Sequence, residues 1–130
     1  DLRAASTQEF NEAAAAVEEI VTHPATDGVT ATLRRIAGHP PMEKSLASSR
    51  LVTLAQQIAG DIGFAVTDAA TGGASDANTT AAAGLPSLDG LGPVGGDDHS
   101  VDEWLDLASI VPRTALVAGL VARADEALGR

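Results

Sequence analysis

The sequence predicts an α/β fold with a mostly parallel sheet. Segments rich in β-branched residues at period two alternate with segments whose apolar residues recur every three or four positions. Clusters of Gly, Pro, Asn and Asp separate nearly every such pair. The order is βαβ, then αβαβ with terminal helices, the arrangement that places crossover helices between parallel strands. The 130 residues are one domain's worth of chain, enough to bury about two thirds of the unfolded surface.

The opening "DLRA" (1–4) reads as the end of a strand. "STQEFNEAAAAVEEIV" (6–21) is a helix, because Phe10, Ala13, Ala14, Val17, Ile20 and Val21 share one helical stripe, and Ser6 with Glu9 fits a capping box. "HPATDG" (23–28) breaks it, and "VTATLRRI" (29–36) alternates in the manner of a strand. In "GHPPM" (38–42) two prolines fix φ and remove two donors, making a rigid linker. Residues 44–62 form the longest helix, with Leu46, Leu51, Leu54, Ile58 and Ile62 on its apolar side and Gly63 ending it. "FAVTDA" (64–69) is a short strand; "TGGAS" (71–75) turns into a helix from about Asp76 that stops at Gly84, ahead of Pro86. "PSLDGLG" (86–92) is a strand entering a glycine loop, Ser100 and Glu103 form a second capping box, and "IVPRTALVAGLVARADEAL" (110–128) is a last amphipathic helix.

Composition narrows the function classes. A net charge of −10 with no basic cluster argues against nucleic-acid and anionic-membrane partners, which need Lys and Arg footprints. No cysteine is present, so no disulfide or thiolate site is available and a cytoplasmic location is expected. No apolar run reads as long enough to span a bilayer, and "DLRAAS" is not a signal peptide. Phe10, Phe64 and Trp104 are the only aromatics, so the core must be built from Ala, Leu, Val and Ile.

In open sheets ligands gather at the carboxyl ends of strands, and two such ends stand out. One is Thr71-Gly72-Gly73-Ala74-Ser75-Asp76, where glycines let the backbone approach a ligand and a helix begins. An empty N-cap turn accounts for it equally well. The other is Gly95-Gly96-Asp97-Asp98-His99, either a metal-ligand loop or an exposed histidine flanked by carboxylates.

Taken together, "TGGASDANTTAAAGLPSLDGLGPVGGDDHSVDEWLDLASIVPRTALVAGLVA" resembles the C-terminal part of the zinc-dependent aminoacylase/carboxypeptidase family, which includes glutamate carboxypeptidase and succinyl-diaminopimelate desuccinylase. The shared pattern is a glycine pair with Ser-Asp, Gly-x-Pro, a glycine-rich loop, and His followed by Ser and an acidic residue. The resemblance extends over nearly the whole chain, from "DLR" onward, and is nearest to the glutamate carboxypeptidase branch. It implies the C-terminal part of a mixed-sheet catalytic domain (38–130) joined to half of a ferredoxin-like lid and dimerisation domain (1–37).

The resemblance also implies chemistry: two zinc ions activate a bridging water that hydrolyses a peptide or N-acyl amino acid amide beside a carboxylate. His99 then matches the family's last zinc ligand, at most one ligand in this chain. Asp98 beside it either orients the ring, crowds the metal or faces solvent. Arg3, in "DLR", matches the Asp-x-Arg arginine near the substrate carboxylate, and Gly72, Gly73 and Ser75 join it as substrate contacts. His39 stands where the glutamate carboxypeptidase branch has an arginine before proline. The family's other ligands and its general-base Glu lie upstream, and Glu18-Glu19, in mid-helix, read as a solvated face rather than that base. The expectation is a C-terminal piece of such a hydrolase, inactive alone, with no catalytic residue of its own, and homodimeric through the lid. The rival is a non-catalytic interaction module derived from such an enzyme.

Overall fold

Four α-helices, one turn of 3-10 helix and one short antiparallel ladder make up the regular structure among the described residues, 1–36 and 38–129, of this computed structural model. They divide between two units, one of Asp1–Glu43 with Gly72–Leu85 and one of Lys44–Thr71 with the chain from Pro86 onward.

In the first unit α1 spans Thr7–Thr22. Its start is fixed by reciprocal caps: the Ser6 hydroxyl accepts the Glu9 N–H at 3.2 Å, and the Glu9 carboxylate accepts the Ser6 N–H at 3.1 Å. A second carboxylate, from Glu43, takes the Thr7 N–H at 2.7 Å. This hydrogen bond to the helix N-terminus holds the Glu43 carboxyl below its ordinary range. The helix ends at His23, whose N–H reaches the Glu19 carbonyl at 3.0 Å. None of its residues is buried. Phe10, Ala13, Ala14 and Val21 are half-covered, with the Arg35 guanidinium 5.2 Å above the Phe10 ring, whereas Ile20 is 70% exposed. The same unit holds α3, Asp76–Ala82. Its buried Asn78 donates through Nδ2 to the Pro40 carbonyl at 2.9 Å, tying the proline linker to the helix.

The second unit holds the packed core. Helix α2 runs Leu46–Ile62, from a Ser45 cap to Gly63 at φ 103°, a left-handed cap that suits glycine. Helix α4 runs Ile110–Leu128, entered through one turn of 3-10 helix at Leu107–Ser109. Leu54, Ala55, Ile58 and Ala59 of α2 meet Leu116 and Leu120 of α4, and Ala59 and Leu116 have no exposed surface at all. Gly119 sets the spacing: a Cβ there would lie 2.9 Å from Ile58 Cγ2. Phe64, Val66, Leu88 and Leu91 pack around this cluster. The strands are β1, Gly95–Gly96, and β2, Trp104–Leu105, paired antiparallel.

Several expectations change. Residues 1–4, 29–36, 64–69 and 86–92 carry no ladder among the described residues, and the only pairing there is antiparallel, not parallel. Period-two alternation reports which side chains face a core, not whether neighbouring strands exist. Phe64 and Val66 satisfy that alternation by packing on the helical cluster, and Leu88 and Leu91, three residues apart, pack on it without a two-residue period. All of 29–36 is exposed. Leu46 and Ile62, expected on the apolar side of α2, are also exposed, and Ala55 and Ala59 take their place. Ser100 and Glu103 cap no helix: they lie in a turn that leads into β2. Finally, Leu107–Leu128 does reach the length and mean hydropathy, 1.4, of a membrane span, with 17% of its apolar window buried. Alanines and valines spread through the segment raise the mean without forming one unbroken apolar run.

Two glycine substitutions test the helix contact. Gly60, in α2, has open space where its Cβ would go, so Gly60→Ala should raise stability by about 0.5–1 kcal/mol. Gly119→Ala gains the same propensity but forces a methyl onto a β-branched side chain, an overpacking cost of about 1–3 kcal/mol. Urea melts should show a gain for the first and a loss for the second. A gain at Gly119 would mean the helices are not in contact there.

The Glu43 cap gives a pH signature. Its carboxyl is depressed in the folded chain, so its contribution is present above the ordinary glutamate range and is lost as pH falls through the folded value. Helicity of residues 7–22, followed by NMR, should fall over that acid range in the wild type. Glu43→Gln should remove this component; an unchanged acid profile would show that the cap is not formed in solution.

Candidate functional site

The loop bearing His99 is built from its stems upward. Gly95 pairs with Leu105 and Gly96 with Trp104. Just outside the ladder, the Asp106 N–H donates to the Val94 carbonyl at 2.8 Å. The Val94 N–H in turn donates to Ser109 Oγ at 2.8 Å, and that hydroxyl donates to the Asp106 carbonyl at 2.6 Å. Ser109 is buried at the entry to α4. The hairpin is therefore fastened to the helix that supplies half of the core.

Beyond the stems, the Ser100 N–H closes a tight turn onto the Asp97 carbonyl at 3.1 Å, and Ser100 Oγ accepts the Asp102 N–H at 3.1 Å. Asp97 and His99 occupy left-handed backbone, φ 57° and 66°, the two non-glycine residues of the described chain that do so. That region costs an L-residue about 1–2 kcal/mol, although Asp and His tolerate it better than most. His99 stands third in its turn, where glycine would be free of strain. Its ring is exposed, as are Asp97 and Asp98.

The other candidate residues lie in the first unit. Arg3 Nη1 donates to the Gly72 carbonyl at 2.7 Å, while its Nε and Nη2 hold the Asp1 carboxylate at 2.8 and 2.6 Å. A side chain at Gly72 would press on that guanidinium, since a Cβ would sit 3.1 Å from Nη1. The structure thus brings Arg3 to the glycine pair, across 69 residues of sequence. Gly73 is exposed beside it. Ser75 caps α3: its Oγ accepts the Ala77 N–H, and its own N–H donates to Asn78 Oδ1. His39 is exposed next to the anchored Pro40.

His23, which the sequence gives no role, has one: its Nδ1 lies 3.1 Å from the Glu19 carbonyl at the C-cap of α1. Glu18 and Glu19 are exposed on that helix. Sequence reasoning also passed over Trp104, Ser109, Glu43 and Asn78. Glu43 and Asn78 have partners 36 and 38 residues away, at Thr7 and Pro40, and Trp104 and Ser109 act across the hairpin on Gly96 and Val94. Only the Gly-Gly pair at 95–96 carried a signal, since adjacent glycines in a strand mark a close approach.

Among the described residues no group of three or more His, Asp or Glu side chains converges on a metal position. One imidazole does not by itself fit a catalytic zinc, which takes about three protein ligands. A shallow groove of about 280 Å³ lies between Arg50, Thr53 and Gln57 of α2 and Arg123 and Glu126 of α4, and none of the candidate residues lines it.

Comparison with known proteins gives one match. The family model described as Peptidase family M20/M25/M40 aligns with residues 5–123. No curated protein and no solved structure matches the chain.

The left-handed turn makes a specific stability forecast. His99→Gly should leave stability unchanged or raise it by up to about 1 kcal/mol, because relief of backbone strain outweighs the added unfolded-state entropy. His99→Val should lower it by about 1–2 kcal/mol, since a β-branched residue tolerates positive φ worst. Denaturant melts rank the three; a valine variant as stable as the wild type would mean the turn relaxes without strain.

Proposed function

The chain belongs to the M20/M25/M40 peptidase family, and from that premise we propose that this peptidase-type hydrolase contributes His99 as one zinc ligand in the cleavage of a peptide or N-acyl amino acid amide. The observation that supports this reading is the His99 turn. A histidine held exposed in left-handed backbone, on a hairpin fastened to the core, is placed at a cost to stability that burial does not repay. Zinc supplies Lewis acidity and an ionised water when bound. Among the described residues no group of three or more His, Asp or Glu side chains gathers at a metal position, and this reading takes the remaining ligands and the general base from outside them.

Arg3 is the proposed contact for the substrate carboxylate. Its guanidinium is already oriented by the Gly72 carbonyl and by Asp1, so exchanging the Asp1 carboxylate for that of a substrate preserves its geometry. His39 adds a second, pH-dependent donor in this reading, with Gly73 and Ser75 shaping the backbone beside Arg3. Self-association through residues 1–37 is part of the proposal, supported by the exposure of Leu2, Val17, Ile20, Leu33 and Ile36.

The test is a pair of substitutions in the active, zinc-loaded enzyme. His99→Ala should abolish turnover while the melt of the α2–α4 core is unchanged. Arg3→Ala should raise KM for carboxylate substrates by an amount worth about 1.5 kcal/mol, the low end for a hydrogen bond to a charged group because the site is exposed. Turnover retained in His99→Ala would remove His99 from the metal. Absence of zinc-dependent turnover in every assembly containing the wild-type chain would favour the interaction-module reading.

A further inference from the structure

Trp104 is the single tryptophan of the chain, yet it is 49% exposed and contributes nothing to the helical core. Burial does not explain its position. Its contacts do: a Cβ built on Gly96 would fall 2.8 Å from the indole Nε1 and 2.9 Å from Cε2 and Cζ2, so the edge of the indole rests directly on the Gly96 backbone. A Cβ on Gly95 would fall 2.7 Å from the Trp104 carbonyl oxygen. Both glycines are thus required by the strand opposite. A ring laid over a cross-strand glycine compensates for what glycine costs a strand, by covering its bare backbone.

We propose that Trp104 is a positioning residue for His99. A two-residue ladder is too short to be stable unaided, and the seven residues it closes, 97–103, are held by local turn bonds and carry two strained positions. The indole on Gly96 clamps the base of that loop three residues from His99. Without the clamp only the short turn bonds of Ser100 and the two-residue ladder oppose the strain, and the left-handed turn relaxes. With it, the imidazole keeps one approach direction relative to the helix that anchors the stems through Ser109. The functional consequence rests on the reading of His99 as a metal ligand; the clamp itself does not.

The test uses this chain without metal or substrate. With no tyrosine and one tryptophan, intrinsic emission reports the clamp alone, and with three histidines the His99 ring signals are readily assigned. Trp104→Leu should move the backbone shifts of Asp97 to Ser100 to random-coil values and leave those of Leu116 and Leu120 in place. Trp104→Phe should restore the wild-type loop pattern. Gly96→Ala should shift tryptophan emission to the red and release the loop, and in a Trp104→Leu background it should add no further change. Unchanged loop shifts in Trp104→Leu, or equal effects of Gly96→Ala in both backgrounds, would overturn the proposal. A released loop together with retained turnover in His99→Ala would keep the clamp and reject the ligand reading.

Discussion

The close approach of Ile58 and Gly119 is the constraint on which the second unit depends. With one tryptophan and two phenylalanines in the whole chain, large rings are not available to fill space between helices. The core is instead made by bringing α2 and α4 near enough for Ala55 and Ala59 to touch Leu116 and Leu120. A small residue at 119 permits that distance. Dispersion between closely packed aliphatic side chains then replaces the area that aromatics would have buried. Everything else in this unit is attached to that helix pair, including Phe64 and Val66 from the segment after α2, and Leu88 and Leu91 from the segment before the hairpin.

The candidate site inherits its rigidity from the same source. Ser109 stands at the junction between the hairpin and α4, and through a single hydroxyl it accepts from Val94 and donates to Asp106. The strain at Asp97 and His99 is tolerable because the stems are anchored; on a free hairpin the turn would adopt a lower-energy backbone. The first unit is organised differently. Its order comes from polar ties: Glu43 on the start of α1, Asn78 on Pro40, Arg3 on Gly72. None of the α1 side chains is buried, so that helix is held by its caps and by partial contact, and Val17 and Ile20 of its apolar stripe remain exposed.

Helices were legible in the sequence because their signals are local. Ser6 with Glu9, the αL glycine at 63 and the periodicity of 110–128 each act within one or two turns, and the observed elements begin and end there. The strands were not, because a ladder requires a partner and alternation does not name one. "VTATLRRI" has the composition of a strand and pairs with no strand among the described residues. The same distinction applies to the site. His99 was singled out by its neighbours in sequence, Gly95 to Ser100, and its metal role was suggested by family resemblance, whereas the groups that hold its loop, Trp104 and Ser109, act across the hairpin. The Arg3–Gly72 contact, spanning 69 residues, was suggested by family resemblance alone.

If the His99 hairpin opens only together with the α2–α4 core, native-state hydrogen exchange measures this directly. The amides of Val94 and Asp106 should exchange with the opening free energy of Leu116 and Leu120, and the amides in the C-terminal half of α1 with a much smaller one. Exchange of Val94 and Asp106 at free-chain rates, with the core still protected, would make the hairpin a loose appendage, and the geometry of His99 would then owe nothing to the helices beneath it.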